Sequence, residues 1–389
     1  IDNHRELRTW LATRGHTISL TTDVAVIAPL YLERGIEFLQ DLQGVFAIAL
    51  WDARKQRLIL ARDRAGERHL YYAQHSGMTF FASELAALAS SGSVSRAIDP
   101  EVLAEYLRSG YCPSPRSLLA DCRKVRPGEV VVIQSGRTQE MRYWQMPVAN
   151  AKPDTPTTQA FDPIFRAAVA RPSDIDVDYG VLLSGGIDSA LVTAVARSLR
   201  PDKPLSAYCI RFAEGSYDEG DTAARIADRL GCDFKPVMVG AHDFPTTLRT
   251  LIRCTGEPLA DPAWIPLAHL TAQVTRSTRV LLAGEGADEL FAGYPTYTGA
   301  ALASWYGRLP SPLRRNVQRL IERLPVSDRK MTVSFLLKRF IRGLNLDGLA
   351  RHVLWTASLT PEWLRRLGVS PPPYPATPDQ QPLLDVLQS

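Results

Sequence analysis

The sequence of 389 residues contains few cysteines and no long apolar run. Its five cysteines include no C-x-x-C pair, so a disulfide framework and a four-cysteine zinc site are not expected, and a reducing cytoplasmic location is favoured. No stretch of 18 apolar residues occurs, and therefore no membrane span is expected. The polar first residues also lack the apolar stretch of a signal peptide.

Neither sign of charge is in large excess, because the formal net charge is only +4. This balance does not favour nucleic acid as the main partner, and small-molecule substrates are expected instead. Ten Lys and Arg residues do cluster at 308–342, but their three- to four-residue spacing is typical of solvated helix faces. The seven histidines are scattered without an H-x₃-H pair, which argues against a zinc site.

The length predicts at least two domains, and the first third has the pattern of an antiparallel β-rich domain. Apolar runs at 45–51 and 58–61 are separated by a short polar turn, and so are those at 70–73 and 78–82. A further strand is predicted at 129–134 after a Pro-Gly turn. We assign this domain to residues 1–146 and a Pro-rich linker to residues 147–160.

Strands and helices alternate after the linker, which predicts a doubly wound parallel sheet in a domain at 161–389. The predicted strands are residues 179–183, 205–210, 234–239 and 280–283, with helices between them. The tail beyond residue 300 is predicted to be helical, with breaks at Pro310, Pro312 and Pro325. The overall fold class is thus α+β in the first domain and α/β in the second.

One segment has the composition of a phosphate-binding loop. Residues 184–189, SGGIDS, follow a predicted strand and open a helix. The glycines allow a ligand to approach the backbone, and the amides at the helix start favour an anion, with Ser184 and Ser189 as added hydroxyl donors. Asp188 places a carboxylate beside this site, which makes chemical sense if Mg²⁺ lies between it and a phosphate.

A second segment, GEGADELFAGY at residues 284–294, carries three acids within five positions. Glu285, Asp288 and Glu289 would repel one another unless a cation or the helix dipole compensates for their charge. The segment follows the predicted strand at 280–283. Because parallel strands end at the same sheet edge, we expect it to lie near the SGGIDS loop.

The SGGIDS loop resembles the pyrophosphate loop of the ATP pyrophosphatase (N-type, or PP-loop) superfamily, and together the two segments resemble the asparagine synthetase family. The resemblance implies that ATP is cleaved between its α- and β-phosphates while a carboxylate is adenylated. It implies that Glu285 contacts the adenylate centre and that Asp188 and Asp288 bind Mg²⁺. The residues that it assigns to ATP and pyrophosphate are Leu182, Ser184, Gly185, Gly186, Asp188, Ser189, Ile210, Ala283 and Gly284.

The first third resembles the class II glutamine amidotransferase (Ntn-type) domain of these synthetases, through DLQGVFA at 41–47, RDRAG at 62–66 and FASE at 81–84. The resemblance implies that Asp23 holds the α-amino group of glutamine. The N-terminal Cys that is the family's nucleophile is absent from the chain. We therefore expect a chain that is truncated at its N-terminus and inactive towards glutamine. A truncated C-terminus is also expected.

The resemblance implies a glutamine-hydrolysing asparagine synthetase that uses ATP and Mg²⁺. Aspartate would be adenylated to β-aspartyl-AMP and then attacked by ammonia derived from glutamine. An amide- or lactam-forming paralogue that acts on another carboxylate remains an alternative, because no Arg for the substrate carboxylate is visible near residues 261–266. An RNA-modifying thiolase and a pseudo-synthetase without activity are less favoured, and a homodimer is left open.

Overall fold

The computed structural model describes residues 1–147, 158–175, 177–213, 215–325, 332–344, 346 and 348–372. The chain forms two compact units that alternate along the sequence. Unit 1 comprises Ile1–Leu103, Cys112–Asp174 and Ile252–Pro258, whereas unit 2 comprises Ala104–Tyr111, Ile175–Leu251 and Leu259–Ser389. Most of the predicted linker at 147–160 lies outside the described residues, and its last three residues begin a helix.

Unit 1 contains two antiparallel sheets, as the hairpin patterns predict. The first sheet has the order β1-β2-β6-β7 and the second has the order β4-β3-β5. The strands are β1 (Ala47–Asp52), β2 (Arg57–Arg62), β3 (Tyr71–His75), β4 (Met78–Ala82), β5 (Cys122–Lys124), β6 (Glu129–Gln134) and β7 (Arg137–Arg142). The two short-turn hairpins β1–β2 and β3–β4 are thereby confirmed.

Unit 1 also contains helices. They are α1 (His4–Ala12), α2 (Ile27–Arg34), α3 (Leu85–Ser90), α4 (Pro100–Ser109) and α5 (Thr158–Ser173), with α4 crossing from unit 1 into unit 2. Leu11 of α1 and Leu30 of α2 are fully buried with Ile59 of β2 in one apolar cluster, and Leu85 of α3 is buried with Tyr71 of β3 in another. Much of the first 40 residues is thus helical, a feature for which the sequence patterns made no prediction.

Unit 2 is built on a parallel sheet with the strand order β10-β9-β8-β11. Its strands are β8 (Tyr179–Leu182), β9 (Ser206–Phe212), β10 (Asp233–Val239) and β11 (Val280–Leu282). The order runs outward from β8 to β10 and then returns to place β11 on the other side of β8. This reversal is the topology of a doubly wound sheet, which confirms the predicted fold class of this domain.

The remaining elements of unit 2 are helices, and the tail is helical as predicted. The helices are α6 (Ile187–Leu199), α7 (Gly220–Leu230), α8 (Phe244–Thr255), α9 (Trp264–Val274), α10 (Ala287–Phe291), α11 (Pro295–Tyr306), α12 (Ser311–Glu322), α13 (Val333–Arg342), α14 (Gly348–Thr356) and α15 (Pro361–Arg366). The predicted break at Pro312 is wrong, because this proline lies in the first turn of α12, where its missing N–H costs no helical hydrogen bond. Among the described residues, no helix is both long and apolar enough to cross a membrane.

A buried carboxylate holds residues 252–258 within unit 1, although the chain on both sides belongs to unit 2. Glu257 forms an ion pair of 2.6 Å with Lys124, and the side chains of the two residues are only 10% and 7% exposed. Its carboxylate also accepts hydrogen bonds from the Tyr71 hydroxyl (3.1 Å) and the Leu118 amide (2.7 Å). Burial and the charge of Glu257 raise the pKa of Tyr71, which keeps this hydroxyl a donor.

We predict that Glu257→Ala weakens the sheet that contains β3 and β5, because it leaves the Lys124 ammonium buried without its partner. The loss of one member of a buried pair costs about 3–5 kcal/mol. Where the Glu257–Lys124 pair limits the local opening of this sheet, amides of β3 and β5 should then exchange with deuterium roughly 100-fold faster or more. Mass spectrometry on the full chain measures this exchange.

Asp174→Ala provides the matched control within unit 1. It removes an exposed ion pair with Arg5 at 2.9 Å, and such pairs contribute at most about 1 kcal/mol. The control should leave exchange in β3 and β5 unchanged. Equal exchange in the two variants would show that Glu257 is not what holds this sheet.

Candidate active site

The two glycine-rich loops lie side by side in unit 2. Strands β8 and β11 are parallel neighbours with Tyr179 opposite Val280 and Val181 opposite Leu282. Residues 183–186 and 283–286 therefore leave the sheet at the same carboxyl edge. This is also the point where the strand order reverses, and ligands of open parallel sheets bind at such points. The predicted proximity of the two segments is confirmed.

Gly284 brings the second loop against the start of α6. A Cβ atom at this position would lie 2.8 Å from the Ser189 amide nitrogen and 2.9 Å from the Asp188 carbonyl carbon. These are backbone atoms that cannot move without displacing the helix. Only glycine therefore permits this contact. Glu285 directly follows the residue that touches the SGGIDS loop.

Ser184 and Ser189 hold the SGGIDS loop in shape. Their hydroxyl oxygens are 2.9 Å apart, and the Ser184 amide donates to the Ser189 hydroxyl at 3.1 Å. The Gly186 amide donates to the Ser184 hydroxyl at 3.1 Å. Ser189 is buried, whereas Ser184 and Gly186 are exposed. The serines thus have a structural task in the loop that the sequence analysis did not anticipate.

The start of α6 has the features of an anion site. The amides of Ile187, Asp188 and Ser189 are the first three of this 13-residue helix and therefore have no intrahelical acceptor. The positive end of the helix dipole adds to the attraction for an anion. Asp188, which is half-buried, belongs to the same turn. The helix start can hold phosphate oxygens, and Asp188 can reach a cation bound to them.

The three acids of the second loop have different surroundings. Glu285 is exposed, and Asp288 packs so closely on Gly293 that a Cβ there would lie 2.0 Å from its carboxylate oxygen. Glu289 accepts a hydrogen bond of 2.7 Å from the Tyr294 hydroxyl. That hydrogen bond, followed by burial, raises the pKa of Tyr294. Glu285 and Asp288 are therefore the acids of this loop that remain for a ligand.

Leu182 and Ile210 were assigned to the nucleotide through their strand-end backbone. The structure packs both side chains against a core cluster that includes Tyr208 and Leu270. Ala283 follows β11 and is exposed. Leu182 and Ile210 thus lie on the neighbouring strands β8 and β9 with their side chains packed in the core, and Ala283 directly follows β11.

Arg211 is a residue of this region that the sequence analysis missed. It lies on β9 and forms ion pairs with Asp218 and, at 2.8 Å, with Asp221 at the start of α7. These hydrogen bonds raise the pKa of Arg211 and lower that of Asp218. The start of α7 faces the SGGIDS loop, because a Cβ on Gly185 would lie 3.2 Å from Thr222. An Arg near the end of a strand, seven residues before an Asp, is the sequence signal that could have indicated these ion pairs.

Unit 1 has its own cavity of about 880 Å³ beside Asp23. The cavity is lined by residues from several parts of unit 1, including Ile1, Asp23, Phe46, Glu67, Arg68, His69, Ser83 and Glu84. The Asp23 carboxylate is partly exposed at this cavity.

The RDRAG segment shapes one wall of this cavity. Asp63 is only 1% exposed, and its carboxylate accepts hydrogen bonds from the amides of Gly66, Glu67 and Arg68 at 2.6–3.0 Å. Arg62, which is 5% exposed, donates to the carbonyl oxygens of Arg68 and Val125 at 2.6 and 3.0 Å. The two charges therefore fix the backbone that presents residues 67–69 to the cavity.

Two buried cysteines lack the surroundings of an activated nucleophile. None of the five cysteines forms a disulfide bond, and burial raises the pKa of Cys122 and of Cys209 to about 11. Such thiols stay protonated and unreactive at neutral pH. Cys254 is the exposed member of the set.

We predict that Gly284→Ala separates the two loops and weakens pyrophosphate binding at least tenfold. The added methyl group would lie under 3 Å from two backbone atoms, so the start of α6 must shift. Isothermal titration calorimetry with pyrophosphate measures the affinity. Gly307→Ala is the control, because its Cβ would meet its nearest neighbour at 3.4 Å and its backbone is helical. Unchanged affinity in Gly284→Ala would contradict the role given to this contact.

The chain is similar to known proteins over most of its length. A family model described as asparagine synthase matches residues 160–369, and one described as a glutamine amidotransferase domain matches residues 1–144. A protein of Mycobacterium tuberculosis named putative asparagine synthetase [glutamine-hydrolyzing] is 32% identical over 336 residues, which cover 84% of this chain and 51% of the relative. Asparagine synthetase [glutamine-hydrolyzing] 1 of Bacillus subtilis is 32% identical over 322 residues, which cover 81% of this chain and 50% of the relative.

A third relative has a different name. Amidase chry2 of Gibberella zeae is 28% identical over 325 residues, covering 77% of this chain and 48% of the relative. The chain thus spans about half the length of the curated relatives that it matches. Because the asparagine synthase model covers more than half of the chain and the amidotransferase model covers most of the rest, the chain belongs to the asparagine synthase family of glutamine-dependent amidotransferases.

Proposed function

We propose that the chain carries the glutaminase and synthetase parts of an ATP-dependent asparagine synthetase. The observation that carries this proposal is the contact of Gly284 with the start of α6. It joins an anion-binding helix start to a loop with two available acids at one sheet edge. An enzyme that adenylates a carboxylate needs both, because it must hold pyrophosphate and position a second anion beside it.

The reaction that fits this arrangement has two steps. A β-carboxylate oxygen of aspartate attacks the α-phosphorus of ATP, the bond between the α-phosphorus and the bridging oxygen breaks, and pyrophosphate leaves with that oxygen. Ammonia then attacks the aspartyl carbonyl carbon, AMP departs, and the amide nitrogen loses a proton. The amides of Ile187, Asp188 and Ser189 would stabilise the charge that develops on pyrophosphate.

The donor set of the site is compatible with Mg²⁺. Among the described residues, no group of three or more His, Cys, Asp and Glu side chains could hold a metal ion. Mg²⁺ typically takes only one or two protein carboxylates beside substrate phosphates and water, and Asp188 and Asp288 can supply these. When bound, the ion would neutralise phosphate charge.

Glu285 would position the carboxylate substrate or the attacking amine rather than the nucleotide. It is exposed at the edge of the sheet, one residue beyond the contact that joins the loops. A carboxylate beside two reacting anions is unfavourable unless it accepts a hydrogen bond from a specific group. The α-ammonium group of aspartate and the incoming ammonia are such donors.

Asp23 would bind the α-ammonium group of glutamine in unit 1. Its carboxylate is partly exposed on the wall of the cavity of unit 1. The cavity beside it has about 880 Å³, which is ample for an amino acid. In a protein that also carries the N-terminal Cys nucleophile, ammonia released there would be the nitrogen donor of the synthetase reaction. Reduced, unpaired cysteines are compatible with the cytoplasmic location that we expect.

We predict that Glu285→Gln lowers aspartate-dependent ATP–pyrophosphate exchange roughly tenfold to a hundredfold. The change removes one charged acceptor, which is worth about 1.5–3 kcal/mol. ATP affinity, measured by calorimetry on the same protein, should change less than about twofold. Asp228→Asn on α7, an exposed acid, is the control for loss of one negative charge. An equal fall in ATP affinity and exchange would assign Glu285 to the nucleotide site instead.

We predict that Asp188→Ala abolishes the dependence of ATP binding on Mg²⁺. Wild-type protein should bind ATP on the order of tenfold more tightly with Mg²⁺ than without it, because the ion links the carboxylate to the phosphates. The variant should bind ATP with the same, weaker affinity in both conditions. A full Mg²⁺ effect in the variant would refute the assignment of this carboxylate to the metal.

The alternative is that the enzyme acts on a carboxylate other than aspartate, and one observation favours it. Residues 261–266, DPAWIP, lead into α9 and contain no Arg that could bind the α-carboxylate of aspartate. One relative is named an amidase rather than a synthetase. Exchange assays with aspartate and with a panel of other mono- and dicarboxylic acids separate the two functions. Exchange with another acid in the panel, and none with aspartate, would establish the alternative.

A further inference from the structure

A groove in the helical tail of unit 2 lies outside the residues assigned to either site. It has a volume of about 390 Å³, which is within the range of small-molecule sites. Its walls come from α13, from the end of α14 and from the turn that leads into α15. The residues that carry the argument are Phe335, Lys338, Arg339, Arg342, Trp355 and Trp363.

Three cations of α13 line this groove without an ion pair among the described residues. Lys338, Arg339 and Arg342 fall within five positions of the helix. Burial, followed by the charge of Arg342, lowers the pKa of Arg339. Glu322 lines an adjoining cavity together with Lys338 and Arg342, and Glu362 precedes Trp363 in α15. The positive charge on the groove therefore exceeds what these two acids can balance. A ligand with several acceptor oxygens would balance these cations.

Aromatic side chains give the same groove an apolar wall. Trp355 stacks on Phe340 with ring centres 5.9 Å apart, and Phe340 packs edge-on against Tyr306 at 5.8 Å. This packing keeps the indole ring in place. Phe335 and Trp363 are about half-exposed on the other walls, at 47% and 53%. A ligand for this groove therefore needs a flat apolar body as well as an anionic group.

We propose that this groove binds a phosphate monoester with an aromatic body, at a site separate from the SGGIDS loop. Lys338, Arg339 and Arg342 contact the phosphate, and the rings of Phe335 and Trp363 cover the body. A doubly charged phosphate matches three cations better than a single carboxylate does. A groove of this volume suits one small molecule, whereas an extended nucleic-acid strand needs a longer series of stacking surfaces.

Calorimetry on the full chain with phenyl phosphate, AMP, inorganic phosphate and benzoate tests this proposal. Phenyl phosphate should bind at least tenfold more tightly than inorganic phosphate or benzoate, because it alone of these three offers both the dianion and the ring. AMP shows whether a nucleoside can serve as the body. The double variant Arg339→Gln/Arg342→Gln should weaken phenyl phosphate about tenfold to a hundredfold.

Arg315→Gln/Arg319→Gln is the matched control, because it removes the same charge from exposed positions of α12 that do not line the groove. It should leave phenyl phosphate affinity within about twofold of wild type. If both double variants weakened phenyl phosphate binding equally, the loss would reflect overall charge rather than the groove, and the proposal would be overturned. ATP affinity should be unchanged in both pairs, and a parallel loss of ATP binding would place these arginines in the nucleotide site.

Two single variants keep the test decisive if the double variant fails to fold. Lys338→Gln removes a cation, and Trp363→Leu removes one of the half-exposed rings that cover the body. Each should weaken phenyl phosphate about threefold to tenfold with little change in thermal unfolding. Tight binding of a single-stranded oligonucleotide that Arg339→Gln/Arg342→Gln abolishes, with no binding of phenyl phosphate, would show a nucleic-acid surface instead. No binding of any probe would also overturn the proposal.

Discussion

The synthetase unit depends on one close backbone contact, that of Gly284 with the first turn of α6. The contact leaves no room for a Cβ atom, since the nearest backbone atoms would be 2.8 and 2.9 Å away. It is possible because β8 and β11 are adjacent parallel strands at the point where the sheet reverses. Anion-binding amides and the acids of the 284–294 segment thereby share one edge.

The acids and hydroxyls around this edge divide into those that build it and those that remain for ligands. Glu289 is hydrogen-bonded by Tyr294, Asp218 is paired with Arg211, and Ser184 and Ser189 bond to each other. Asp188, Asp288 and Glu285 remain. This division has an energetic reason. A loop carboxylate without a hydrogen-bond donor, a cation or solvent beside it is unfavourable, so each acid either has a protein partner or remains accessible to a ligand.

The amidotransferase unit uses buried charges for a similar structural purpose. Asp63 accepts three backbone amides and thereby shapes the wall of the cavity beside Asp23. Glu257 pairs with Lys124 and holds a segment that is distant in sequence. Buried ions of this kind are costly unless every hydrogen-bonding position has a partner, and here several backbone and side-chain donors supply them. Their removal should therefore disturb the fold before it disturbs any chemistry.

The sequence by itself determined the two-domain organisation, the hairpins of the first unit, the strand and helix alternation of the second and the two loop motifs. These features depend on local chemistry: the spacing of apolar residues, turn residues, and glycines beside acids and hydroxyls. Proline was the weaker guide, because Pro312 lies in the first turn of a helix where a break was predicted. Even the proximity of the two motifs followed from the rule that parallel strands end at one edge.

Only the tertiary structure decided which groups are engaged and which are free. Three interactions join side chains through space: Arg211 with Asp218, Glu257 with Lys124, and Glu289 with Tyr294. No local sequence pattern encodes pairings of that kind. The cations of α13 illustrate the difference. Their spacing predicts a solvated helix face, yet the fold places Lys338, Arg339 and Arg342 along one groove with the half-exposed rings of Phe335 and Trp363. This groove arises from the packing of several helices, and a sequence pattern within one helix cannot specify it.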